Sequence, residues 1–272
     1  MAGLCLLMFF LASFASISVL SESVAAAYSI ELGEFRWNRF PLRVFVDMNQ
    51  WSVFSYSVAV REAVESWIES IWNYTYSFGD PSLMMVSYVF YLGGVNSSGG
   101  YDVVVSFCRD EISPSSRIVG WTTCKWDIAT HEPISPISIS IATYSATADD
   151  LFVRCVAAHE FGHVLGLGHA SSERALNGPE LMYYASVKDQ VVCPSTLDVY
   201  GLTVLYGGSF GKTVELPLEM PYEMLAGGDV SRVPVAFLWE VYKKYVFAVI
   251  AFLFVLVVFV VLWKNVRLSA ER

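Results

Sequence analysis

Residues 159 to 169 read His-Glu-Phe-Gly-His-Val-Leu-Gly-Leu-Gly-His. On a helix, His159 and His163 stand four apart, so both imidazoles leave from one face. That spacing lets two ring nitrogens meet one zinc ion at ~2.0–2.1 Å. Glu160 follows the first histidine, close to the metal without binding it, where it can take a proton from water. Gly166 lets the chain leave the helix sharply and return His169 as a third ligand. Three protein ligands leave one position for water, the composition of a catalytic site. The implied chemistry is metal-assisted amide hydrolysis. Zinc lowers the pKa of a water to about 7 and polarises the carbonyl, and Glu160 passes the proton to the leaving amine.

Helical histidines more often sit on a surface or in a satisfied core. Here three of the four histidines in the chain fall within eleven residues. By average usage that coincidence is improbable, and improbable again beside Glu160. A noncatalytic zinc site gives Glu160 no role.

The elements that must hold these residues follow from patterning. Leu42 to Val46 alternates and reads as a strand. Val60, Val64, Trp67, Ile68 and Ile71 share one helical face, with Arg61, Glu62, Glu65 and Glu69 opposite. Met84 to Leu92 and Tyr101 to Phe107 read as further strands, the latter as fully buried. Ile118 to Lys125 reads as a fourth strand and Ile137 to Ala142 as a half-buried fifth. Asp149 or Asp150 caps the histidine-bearing helix, which ends at Gly166. Ser195 and Asp198 form a capping-box pattern for the last helix, closed by Gly207-Gly208. Strand, helix, four strands, helix, loop, helix predicts an α+β domain with a mixed sheet, of roughly 180 residues.

Both ends of the chain are apolar. The composition is 55% hydrophobic and 16% charged. Gly3 to Leu20 followed by Ala25-Ala26-Ala27 resembles a signal peptide over 1–27, although its start carries no Lys or Arg, and the run is also long enough for an uncleaved anchor. Tyr245 to Trp263 is uncharged and nearly spans a ~30 Å hydrocarbon core, with Trp239, Tyr242, Tyr245 and Trp263 near its ends. The expected organisation is a domain over 28–208, a stalk over 209–244, a transmembrane helix over 245–263 and an inner tail over 264–272. The chain is then single-pass in the cell membrane, touching lipid through that helix, with the domain extracytoplasmic. The net charge of −9 argues against nucleic-acid binding. After removal of a signal, Cys108, Cys124, Cys155 and Cys193 remain. Two disulfides are expected in an exported domain, Cys108–Cys124 and Cys155–Cys193 being favoured, with buried thiols as the alternative. Asn73-Tyr74-Thr75 and Asn96-Ser97-Ser98 are glycosylation sequons.

The eleven-residue motif resembles that of the metzincin zinc peptidases, His-Glu-x-x-His-x-x-Gly-x-x-His followed by a methionine turn. Leu181-Met182-Tyr183 looks like that turn. Asp102 to Phe107, Arg154 to His169, and Leu197 to Gly207 resemble the matrixin branch. The resemblance implies a metzincin-like zincin domain with a twisted five-stranded sheet and three helices. It also implies peptide substrates extended along an edge strand near Ile118 to Cys124, Met182 packed beneath the ligands, and possible calcium sites. Four departures stand out. Only His131 lies outside the motif, so the histidine-rich second zinc site of matrixins is missing. No cysteine-switch propeptide fits between Ala27 and Phe35. Ala170 replaces the usual Ser. Tyr184 replaces the usual Pro, as in astacins and serralysins, where the tyrosine steadies the oxyanion. Packing is the equal alternative for Tyr184. Trp121, Trp126 and Tyr144 are candidates to line the cleft, with core packing as the default. The leading expectation is a surface zinc endopeptidase acting on proteins or peptides. The alternatives are a noncatalytic zinc-containing adhesion or scaffold protein, and hydrolysis of a nonpeptide amide.

Overall fold

The computed structural model describes residues 28–94, 100–109, 119–143, 149–171, 174–175, 178–184, 192–221 and 225. The signal-like segment, the second sequon, Tyr144 and the run from Tyr245 to Trp263 lie outside them. Among the described residues, no helix is long and apolar enough to cross a membrane.

In chain order the elements are β1 (Ser29–Leu32), β2 (Leu42–Asp47), α1 (Phe54–Phe78), β3 (Tyr88–Gly93), β4 (Val103–Cys108), β5 (Gly120–Thr123), β6 (Trp126–Asp127), β7 (Glu132–Pro133), β8 (Ile137–Ala142), α2 (Asp150–Val164), β9 (Leu167–Ala170), β10 (Arg174–Ala175), β11 (Gly178–Pro179), α3 (Thr196–Tyr206) and β12 (Thr213–Glu215). The main sheet has the order β3-β2-β4-β8-β5. Its first four strands are parallel, and β5 closes one edge antiparallel to β8. Among the described residues, the expected mixed five-stranded sheet with three helices is therefore present. The pairs β6–β7 and β10–β11 are short antiparallel ladders.

The apolar stripe on α1 does what its spacing requires. Val60, Val64, Trp67 and Ile71 are buried, and Arg61, Glu62 and Glu65 face solvent. The helix stops at Gly79, whose φ of 70° suits a residue without Cβ. Helix α2 packs on α1 and on β5 and β8. Trp67 fastens the two helices by donating its indole N–H to the Ala158 carbonyl at 2.8 Å. Asp102 anchors the start of β4. Burial pushes its carboxyl up, but hydrogen bonds from the Arg43 guanidinium and amide, with Arg39 nearby, outweigh this and hold it below the usual range.

Several expectations shift. Strand β3 begins at Tyr88, because residues after Pro81 hydrogen-bond among themselves as turns. In β4 only alternate residues are fully buried, so its second face is half covered. A second sheet, β12-β1-β9, was not anticipated. Ser29–Glu31 pairs with Thr213–Glu215, a stretch read from sequence as stalk. Leu216 and Leu225 are also buried in the core. The folded domain thus runs beyond residue 208.

The expected disulfides are corrected, since none of the four cysteines is bonded to another. Cys108 and Cys124 are separated by strand β8 and lie at opposite ends of the sheet: Cys108 pairs with Ala142, whereas Thr123 pairs with Ser138. Two strand spacings alone place them ~10 Å apart, too far to bridge. Cys155 and Cys193 are buried thiols. A backbone N–H at Val192 meets the Cys155 sulfur, and burial pushes both thiols up. They pack as small apolar groups.

Candidate active site

Helix α2 delivers three of the site residues. Asp149 caps it, accepting the Phe152 amide N–H at 2.8 Å. This satisfies a donor that the helix start leaves open and fixes where the turns carrying His159, Glu160 and His163 fall. The helix ends at Val164, and Gly166 follows with φ 101°. That left-handed turn admits the chain into β9, which carries His169. A Cβ at position 166 would also crowd the Phe35 carbonyl.

The histidine rings are oriented by backbone. The His159 Nδ1 lies 2.7 Å from the Leu181 carbonyl, and the His163 Nδ1 lies 2.8 Å from that of Leu167. A carbonyl only accepts, so each Nδ1 carries the proton and each Nε2 presents a lone pair. The two Nε2 atoms are 3.2 Å apart. Two ligands at ~2.0–2.1 Å in a tetrahedral set subtend about 3.3 Å. With His169 the ligand atoms all lie within 4.8 Å of one another. The donor set and its spacing therefore fit a zinc ion. Burial lowers the pKa of His159 to about 4 and of His163 to about 3, and it also lowers that of His169. All three are neutral near pH 7, as metal ligation requires.

Glu160 is 5% exposed, and burial pushes its carboxyl up to about 7. The Thr122 hydroxyl donates to its Oε2 at 2.6 Å. Met182 is fully buried and packs against Gly162, where a Cβ would overlap the sulfur. Gly162 lies between the two helical histidines, so the methionine packs behind the site without entering it. The Met182 carbonyl accepts from the Ala170 amide at 2.8 Å, tying the turn to β9 beside His169.

An open cleft of about 920 Å³ runs past the histidines. Trp121, Trp126, Tyr183, Tyr184 and Val192 are among its lining residues. Trp121 is 51% exposed and Trp126 37%, so core packing does not describe them. Tyr184 is 70% exposed, with its ring on Tyr183 at 4.3 Å. The fourth histidine stands apart. His131 stacks on Phe210 at 4.0 Å, and its Nδ1 meets the Glu34 carbonyl. Sequence reasoning missed Thr122 and the carbonyls of Leu167 and Leu181. Backbone acceptors leave no residue signature. Thr122 had one faint signal, its shared parity with Gly120 on the edge strand.

A buried carboxylate beside three converging neutral imidazoles, two on α2 and the third on β9, has the donor set of a zinc hydrolase site. The family model for matrixin, peptidase family M10, matches residues 55–207. The chain belongs to the matrixin family of zinc metallopeptidases. No curated protein matches the chain.

Proposed function

We propose that this chain is an active zinc-dependent endopeptidase, hydrolysing peptide bonds of proteins or peptides at the outer face of a membrane. The observation that carries the reading is Glu160, buried in the same cleft as the three converging histidines with its Oε2 held by the Thr122 hydroxyl. When bound, zinc supplies a Lewis acid that polarises a carbonyl and acidifies water. His159, His163 and His169 hold it. Glu160 accepts the proton of the attacking water and delivers it to the departing amine nitrogen. The edge of β5 offers main-chain groups to an extended peptide, which favours a peptide over a smaller amide. Tyr184 lines the same cleft, and its exposure fits a role facing substrate, where its hydroxyl steadies the oxyanion.

The test uses the full-length chain, zinc-loaded, on a mixed peptide library beside Glu160→Ala. Zinc-dependent cleavage that is lost in the variant supports the proposal. Equal inactivity of both, with zinc bound and the domain folded, would favour the noncatalytic scaffold. In the same assay Tyr184→Phe is expected to lower kcat about tenfold; an unchanged kcat removes Tyr184 from the mechanism. The membrane placement rests on the apolar run from Tyr245 to Trp263. Release of the expressed chain from membranes by alkaline carbonate would refute it.

A further inference from the structure

Strand β5 has two faces with different duties. Residues 121 and 123 point outward: Trp121 is 51% exposed, and its indole N–H donates to the Thr123 hydroxyl at 3.0 Å. Residues 120 and 122 point at α2. A Cβ at Gly120 would overlap the Glu160 Oε1 and lie within 2.6 Å of Val156 Cγ1. The space that a side chain would take there is filled by the Glu160 carboxylate. Thr122, two residues on and on the same face, donates its hydroxyl to Oε2 at 2.6 Å. The hydroxyl also lies 3.2 Å from the Glu160 carbonyl, but it has one proton, and the shorter, charge-assisted contact is the stronger. Among the described residues, Thr122 is the one side chain that hydrogen-bonds this carboxylate.

A glutamate has three rotatable bonds, and a base that must meet one water gains from having one geometry. We propose that Thr122 is a positioning residue for the catalytic base, its hydroxyl holding Oε2 so that the carboxylate keeps one orientation for taking the proton from water. Gly120 completes the device by leaving room for the carboxylate. Because β5 is, among the described residues, an edge strand of the sheet, one strand orients the base and presents main chain to the substrate. A peptide paired to β5 is thereby held in register with Glu160. The inference rests on the peptidase reading for its catalytic consequence, and on the hydrogen bond alone for its structural one.

The experiment compares the full-length zinc-loaded chain with Thr122→Val, Thr122→Ala and Thr122→Ser, using a fluorogenic peptide selected from the library. Val and Ala are expected to lower kcat 10- to 100-fold, with KM within about twofold. Zinc content and thermal midpoint should stay unchanged, and Ser should recover kcat to within a few-fold. Crystal structures of metal-free wild type and Thr122→Val give a readout independent of turnover: the Glu160 carboxylate should leave its place in the variant. Full kcat in Thr122→Val, failure of Ser to recover it, or an unmoved carboxylate would each overturn the assignment. Inactive wild type with zinc bound would sink the peptidase reading instead, and the carboxylate's position would still decide whether Thr122 holds it.

Discussion

The imidazole protons of His159 and His163 are fixed before any metal arrives. Leu181 and Leu167 carbonyls accept from Nδ1, and burial keeps both rings neutral, with values near 4 and 3. In the unfolded chain the same residues titrate near ~6.5. Below that pH the unfolded state binds protons that the folded metal-free state refuses, so stability falls as pH drops. The loss begins near 6.5 and is complete only once pH passes the folded values. Between pH 7.5 and 5 it amounts to on the order of 1–2 kcal/mol for each ring. Urea midpoints of the metal-free chain across that range are expected to show the fall. His163→Gln should flatten it, and an equal slope in that variant would contradict the account. Zinc opposes the trend, because it binds the neutral rings and stabilises the folded state by mass action.

The motif works only where elements come close, and Gly162 marks the tightest approach within it. A Cβ there would meet both the Met182 sulfur and the Trp67 ring, with no room for a methyl group. Gly162→Ala is therefore expected to cost about 1–3 kcal/mol as overpacking and to weaken zinc binding by pushing the methionine turn from α2. Thermal melts and competition with a zinc chelator would measure both. Unchanged values in each would mean that the turn yields freely. The partners across this contact show what the sequence could reveal. The α2 cap at Asp149 and the capping box of Ser195 and Asp198 were legible, since both depend on residues a few positions apart. So were the stripe of α1 and the histidine spacing. Strands β1, β9 and β12 were not, because three- and four-residue strands carry no period and are selected by partners more than a hundred residues away. The cysteine pairing failed for a related reason. Proximity in sequence says nothing about the strand β8 that order β4-β8-β5 inserts between Cys108 and Cys124.

At the scale of the whole domain, the chain's two flanks clasp each other around the site. Strand β1 lies between β12 and β9, the strand that carries His169. Leu216 donates its amide to the Tyr28 carbonyl, and Leu225 donates to that of Pro194, just ahead of α3. Residues 213 to 216 thus brace the sheet from which the third histidine projects. A chain ending at residue 208, the boundary suggested by composition, loses the β12 ladder and two buried leucines. Each buried leucine contributes about 1.5–3 kcal/mol, and each ladder hydrogen bond about 0.5–1.5. The sum is roughly 5 kcal/mol, which for a domain of this size lowers Tm by about 10–20 °C. Chains ending at 208 and at 228, both lacking the apolar run, are to be melted side by side. The longer is expected to melt higher and to bind zinc more tightly, because β9 loses its support through β1 in the shorter. Equal midpoints would mean that β12 rides on the domain without bracing it, and the stalk would then begin where composition places it.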